Sequence, residues 1–120
     1  MAKPNPRRFL ALSLAALLLP ALAAYAPAPA VDTAYSGIIS DSICGARHTR
    51  GGTPAECTLR CVGGGASYAL VVGTRTYTLS TTDPAQLGQL KKLAGERAVV
   101  RGTLAGTTLT VHGVAAAGRP

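Results

Sequence analysis

A β-hairpin pattern at residues 68–79, which read YALVVGTRTYTL, decides the fold of this chain. Two runs rich in β-branched and aromatic residues, 68–72 and 75–79, are separated by Gly73 and Thr74. A two-residue connection that begins with glycine is typical of a type II′ turn. We therefore expect two neighbouring antiparallel strands here.

The segments on either side of the hairpin predict three more strands and two short helices. A first strand is expected over 35–43, and two later strands over 97–104 and 107–114, the last with alternating polar and apolar residues. Thr53-Pro54 and Asp83-Pro84 each place a capping residue before a proline, which marks the start of a helix. This order predicts a mainly β fold, a small five-stranded OB-type barrel. One helix would lie between strands 3 and 4, and a short cysteine-bearing helix between strands 1 and 2.

The start of the chain predicts an export signal followed by a linker. Lys3, Arg7 and Arg8 precede an apolar run over 9–24 that ends in small residues, as in a secretory signal peptide. The run is shorter than the roughly 20 residues of a membrane-spanning helix and is broken by Pro20. We expect a secreted or periplasmic protein with no membrane span once the signal is removed. The predicted segments are a signal peptide over 1–23, an Ala/Pro-rich linker over 24–34, the barrel domain over 35–116 and a tail over 117–120.

Composition excludes several classes of function. The chain has 120 residues, of which 48% are hydrophobic and 4% aromatic, with no Trp. Removal of the three basic residues of the predicted signal lowers the net charge from +7 to +4. Dispersed basic residues and few aromatic rings argue against nucleic-acid binding. The five acidic residues are too scattered to predict an acid/base pair, so we expect no enzyme.

All three cysteines and one of the two histidines fall close together in the sequence. The spacing is Cys44-x3-His48-x8-Cys57-x3-Cys61, and the last two cysteines share one face of the predicted helix. Three thiolates and an imidazole can bind Zn²⁺ in a tetrahedral site, and Cu⁺ also accepts thiolates. The pattern therefore predicts a zinc or copper site made of these four residues.

A disulfide is the alternative use of the same cysteines. A bond from Cys44 to Cys57 or from Cys44 to Cys61 would tie the first strand to the helix and contribute about 3 kcal/mol. It would leave one thiol unpaired. Thiol–disulfide catalysis is disfavoured, because catalytic pairs usually have C-x-x-C spacing at a helix N-terminus.

Other polar residues near the cysteines allow two interpretations each. Asp41 and Ser42 either end the first strand with a turn-forming aspartate, or supply a hydrogen bond to His48 of the kind that a metal-bound imidazole needs. Three arginines form either a solvated rim or a binding rim for an anionic surface or a cell-envelope protein. They are Arg47, Arg50 and Arg60.

Several short motifs carry a resemblance to a known group of proteins. Residues 37–48 (GIISDSICGARH) contain D-S-x-C-G-x-x-H, 56–62 (ECTLRCV) contain C-x-x-x-C, and 68–70 read YAL. Residues 93–95 (LAG) and 100–104 (VRGTL) supply a Leu-Ala-Gly helix end and a V-x-G-T-L strand. In these motifs the chain resembles small secreted bacterial proteins of unknown function. The resemblance implies a secreted OB-like domain and implies no activity.

These observations predict a small secreted binding module that coordinates a soft transition metal. The alternative is a disulfide-stapled interaction domain of the cell envelope, without metal or catalytic activity.

Overall fold

The computed structural model describes residues 31–48 and 51–118. The predicted signal peptide, most of the predicted linker, Arg50 and the last two residues lie outside the described residues. Within the described ranges, no helix is long and apolar enough to cross a bilayer.

Residues 31–48 and 51–118 form five strands and two helices, which confirms the predicted mainly β class. Their order and bounds are β1 (Thr33–Asp41), α1 (Pro54–Gly63), β2 (Tyr68–Val72), β3 (Arg75–Ser80), α2 (Pro84–Lys92), β4 (Arg97–Ala105) and β5 (Thr108–Ala116). The start of β1 differs from the prediction. Thr33 and Ala34, expected in the linker, pair with Gly102 and Arg101, because the nine-residue β4 offers backbone partners that far along the chain.

The five strands form one sheet that closes on itself. The strand order is β1-β2-β3-β5-β4, and β4 also pairs with β1. Neighbouring strands are antiparallel, except that β3 and β5 run parallel where Leu79 pairs with Leu109. At a register shift in β4, a side chain on Gly102 would collide with the carbonyl oxygen of Thr110. Only glycine allows the sheet to bend this closely here.

The core lies inside this closed sheet, because every second side chain of a strand points to the same face. Leu90 of α2 is fully buried and joins this core. The buried members of the cluster are Ile39, Tyr68, Leu70, Leu79, Leu90, Ala98, Val100, Leu109 and Val111.

Helix α1 is held beside β1 by a small buried face. Its first turn has a capping box, in which the Thr53 hydroxyl accepts the Glu56 N–H and the Glu56 carboxylate accepts the Thr53 N–H. The buried residues of the helix are Cys57, Thr58 and Cys61, with no large aliphatic side chain among them. A ten-residue helix is marginal alone. Its partly buried Val62 packs against the core cluster, and two of its three buried residues are cysteines, so its position depends largely on what the cysteines do.

Candidate metal centre

Three sulfur atoms meet between β1 and α1. Cys44 lies in the turn after β1, and its Sγ is 3.6 Å from the Sγ of Cys57 and 3.8 Å from that of Cys61. All three cysteines are free. A disulfide requires about 2.05 Å between the sulfurs. Neither of the two alternative disulfides, Cys44–Cys57 or Cys44–Cys61, is therefore formed in this structure.

Asp41 joins the sulfurs from the last position of β1. The residue is fully buried. Its Oδ1 accepts hydrogen bonds from the backbone N–H groups of Ile43 at 3.0 Å and Cys44 at 2.9 Å. Its Oδ2 is buried and has no hydrogen-bond partner among the described residues. The turn-forming role predicted for Asp41 is thus present, and one carboxylate oxygen is still unused.

The ligand atoms of these four residues form a compact group. A carboxylate oxygen of Asp41 and the sulfurs of Cys44, Cys57 and Cys61 all lie within 4.8 Å of one another. In a tetrahedral zinc site with bonds of about 2.3 Å, neighbouring sulfurs are about 3.8 Å apart. The two sulfur pairs that share Cys44 have separations of 3.6 and 3.8 Å. The group is therefore close enough to hold a metal ion without large rearrangement.

The electrostatics of the group favour a cation. The pKa of the Cys61 thiol is raised to about 11, chiefly by burial and also by its hydrogen bond with the Cys44 sulfur and by the negative charge of Asp41. A buried carboxylate oxygen without a partner is costly unless it is paired or binds a metal. A divalent ion at the centre would stabilise the thiolates and the carboxylate together.

His48, the fourth predicted ligand, is not a member of this group. It lines a pocket of about 310 Å³ whose other walls include Ile38, Pro54 and Val71. Its Nδ1 is buried and has no hydrogen-bond partner among the described residues. The structure thus brings together the three predicted cysteines and adds Asp41, while His48 lines this pocket instead.

Of the other predicted residues, the structure describes Ser42, Arg47 and Arg60. The Ser42 hydroxyl accepts the backbone N–H of Ser67, which joins the turn after β1 to the segment before β2. Arg47 and Arg60 are exposed. Asp41 stands three residues before Cys44 in the D-S-x-C motif, but the sequence pattern assigned its carboxylate to a turn or to a hydrogen bond with His48 and not to the group of ligand atoms.

Comparison with protein-family models, with curated proteins and with solved structures finds no match. The chemistry of the site is therefore argued from its own residues. Three sulfurs and one carboxylate are a donor set that Zn²⁺ accepts. All four come from two neighbouring segments of the chain, so one ion would connect the end of β1 to α1.

Proposed function

We propose that this protein is a zinc-binding module, in which Asp41, Cys44, Cys57 and Cys61 hold one Zn²⁺. The observation that carries the proposal is the buried Asp41 carboxylate, one oxygen of which has no partner among the described residues, within 4.8 Å of three free sulfurs, two pairs of which have the spacing of tetrahedral ligands. His48 takes no part in the proposed ligand set.

The carboxylate favours zinc over copper. Soft thiolate ligands suit both Cu⁺ and Zn²⁺, but a carboxylate oxygen is a hard donor that Zn²⁺ accepts and Cu⁺ does not favour. A set of three thiolates alone would not distinguish the two metals. Asp41 therefore decides the identity of the proposed ion.

The proposed role of the ion is to position α1 against the closed sheet. Two of the three buried residues of α1 are Cys57 and Cys61, so metal binding would add to the limited apolar contact that Val62 makes with the core. Four protein ligands leave no coordination position for water or substrate, as in structural zinc sites. We therefore propose binding without catalysis. The raised pKa of Cys61 also disfavours thiol–disulfide catalysis, which needs a thiolate near neutral pH.

We further propose that the closed sheet is an OB-type barrel in a secreted or periplasmic protein. The strand order, the parallel pairing of β3 with β5, and the position of α2 between β3 and β4 support this class. The cysteine helix then stands in the connection between β1 and β2, which OB-folds commonly use for binding.

The test is metal analysis of the full chain, purified under reducing conditions and then equilibrated with Zn²⁺. We expect one zinc per chain by elemental analysis. With Co²⁺ in its place, we expect thiolate charge-transfer absorption and the ligand-field bands of a tetrahedral site. Asp41→Asn and Cys57→Ser should lose tight binding while keeping the β-sheet signal in circular dichroism.

Two matched variants separate ligands from neighbours. Asp32→Asn makes the same chemical change as Asp41→Asn, but at an exposed carboxylate that is paired with Arg101. His48→Ala removes the imidazole that the sequence pattern placed in the site. Both should leave the zinc dissociation constant unchanged. If the folded, reduced chain binds no zinc, the proposal is overturned. It is also overturned if the Asp41→Asn and Asp32→Asn variants bind zinc with equal affinity.

A further inference from the structure

The three cysteines of the metal centre differ in their access to solvent. Cys57 is completely buried and Cys61 is 5% exposed, whereas Cys44 is only half-buried. A reagent that arrives from solvent therefore reaches Cys44 more readily than either cysteine of the helix. That sulfur is also the one whose distances to both helix sulfurs are below 4 Å.

From this asymmetry we propose that small-molecule disulfides release the metal from this site, in exchange for an intramolecular disulfide between Cys44 and a cysteine of α1. The inference rests on the proposed zinc function and adds its regulation. The metal-bound chain and the disulfide-bonded chain are two exclusive states of the same cysteines.

The exchange is balanced in atoms and electrons. The Cys44 thiolate attacks one sulfur of the reagent RSSR, forming a mixed disulfide and expelling one RS⁻. The thiolate of Cys57 or Cys61 then attacks the Cys44 sulfur of the mixed disulfide and expels the second RS⁻. Two thiolates of the protein have lost two electrons, and RSSR has gained them. Zn²⁺ leaves, and the remaining cysteine thiolate takes a proton from water.

The distances between the cysteines determine which two of them can form the disulfide. Cys57 and Cys61 are four residues apart on one helix, where Cβ atoms are about 5–6 Å apart. A disulfide needs about 3.5–4.5 Å between its Cβ atoms. Cys44 approaches the helix from a separate segment, and its sulfur needs to move about 1.5 Å closer to that of Cys57. The oxidised bond therefore contains Cys44.

Loss of the metal follows from the number of ligands left. After oxidation only Asp41 and one cysteine can still bind zinc, and two protein ligands are fewer than the three or four that zinc sites use. The new bond joins the same two segments that the metal joined, the turn after β1 and α1. The helix thus stays attached to the sheet while the ion departs.

The experiment uses the zinc-loaded full chain, excess oxidised glutathione, and a chromophoric zinc chelator that reports released metal. We expect one zinc released for each disulfide formed, and a fall from three titratable thiols to one after denaturation. Peptide mapping should place Cys44 in the bond with Cys57 or Cys61. Reduction followed by added zinc should restore the starting state.

Two variants test whether zinc release depends on Cys44. Thr58→Val changes a buried side chain of the same helix and leaves all thiols in place, so its release should match that of the unmodified chain. In Cys44→Ser, the remaining thiols should form no intramolecular disulfide under the same conditions.

The outcomes separate the two proposals. Zinc that stays bound with three intact thiols overturns the release mechanism and leaves the zinc function standing. Release accompanied by a Cys57–Cys61 bond, or by glutathione adducts alone, also overturns the mechanism. A reduced chain that binds no zinc at the outset overturns the zinc function, and the release mechanism with it.

Discussion

Replacement of Asp41 by asparagine should change the zinc-bound and the zinc-free protein in opposite directions. Asparagine keeps an Oδ1 that can accept the backbone N–H groups of Ile43 and Cys44, so the turn after β1 is preserved. It replaces the unpartnered Oδ2 with an amide nitrogen, which cannot bind zinc. The variant therefore removes a proposed ligand with little change in shape.

The size of the change can be estimated separately for the zinc affinity and for the stability of the zinc-free chain. Loss of a group that only orients a metal ligand typically weakens metal affinity by about 10–100-fold. Loss of a direct ligand should reach at least the upper end, about 100-fold or ~2.7 kcal/mol. In the zinc-free chain, the buried and unpartnered Oδ2 shares a negative charge, whereas the equally unpartnered amide nitrogen that replaces it is neutral, and an unpaired buried charge costs more than an unpaired neutral group by about 1 kcal/mol or more. We expect zinc-free Asp41→Asn to be more stable than the zinc-free unmodified chain by about 1 kcal/mol.

The assay combines zinc affinity, measured by competition with a chelator, with urea unfolding in excess chelator. Asp32→Asn is the control, and its exposed ion pair should change stability by less than about 1 kcal/mol. A dissociation constant for Asp41→Asn within about threefold of the unmodified value, far below the loss expected even for an orienting group, would refute Asp41 as a ligand. A zinc-free variant that is less stable than the zinc-free unmodified chain would refute the account of the unpartnered oxygen.

Three further predictions concern stability. Thr58→Val removes a buried hydroxyl that has no hydrogen-bond partner among the described residues, so urea unfolding should show a gain of about 1 kcal/mol; an equal loss would mean that the hydroxyl is satisfied. Gly95→Ala should lower the free energy of unfolding by about 2 kcal/mol or more. Gly95 has a φ of +78°, and a Cβ there would lie 2.6 Å from the backbone nitrogen of Ala55; a neutral result would show that the loop adjusts freely. In the metal-free chain, the pKa of Cys61 is raised from 9.0 to about 11, so its stabilising contribution is complete below about pH 9 and is lost as the pH rises through 11. Circular dichroism should show α1 weakening over that interval. Cys61→Ser should remove the effect of the thiol while keeping that of the Tyr68 phenol, whose pKa burial also raises; an unchanged profile in this variant would contradict the assignment.

Much of the fold was predictable because its signals are local. The hairpin of β2 and β3 needs only a short turn, and Gly73 indeed has a φ of +59°. The starts of α1 and α2 follow from capping side chains that act within three residues, at Thr53 and Asp83. The start of β1 was less predictable, because Thr33 and Ala34 become strand only through pairing with the distant β4.

The candidate site was predictable in its cysteines but not in its fourth member. The C-x-x-x-C spacing places two sulfurs on one helical face whatever the surroundings. Whether Asp41 or His48 joins them depends on the path of the turn after β1, which spacing does not determine. The backbone N–H groups of Ile43 and Cys44 donate to the Asp41 carboxylate, so the turn after β1 closes around Asp41. His48 comes after this turn in the sequence and does not join the sulfurs. A histidine next to cysteines is a familiar ligand pattern, whereas a strand-ending aspartate usually only forms a turn.

Because α1 is inserted between two strands of the sheet, we expect the helix and the closed sheet to unfold as two separate units. The buried residues of the cluster inside the sheet include none from α1, whose partly buried Val62 packs against the outside of that cluster, so the sheet can keep most of its packing while the helix detaches. Withdrawal of the ion by a chelator should then open this segment as a local unit, with faster amide hydrogen exchange in α1 and unchanged protection in β4 and β5. A partner that recognises only the detached segment would thus sense the supply of metal, while the rest of the molecule persists as a durable scaffold.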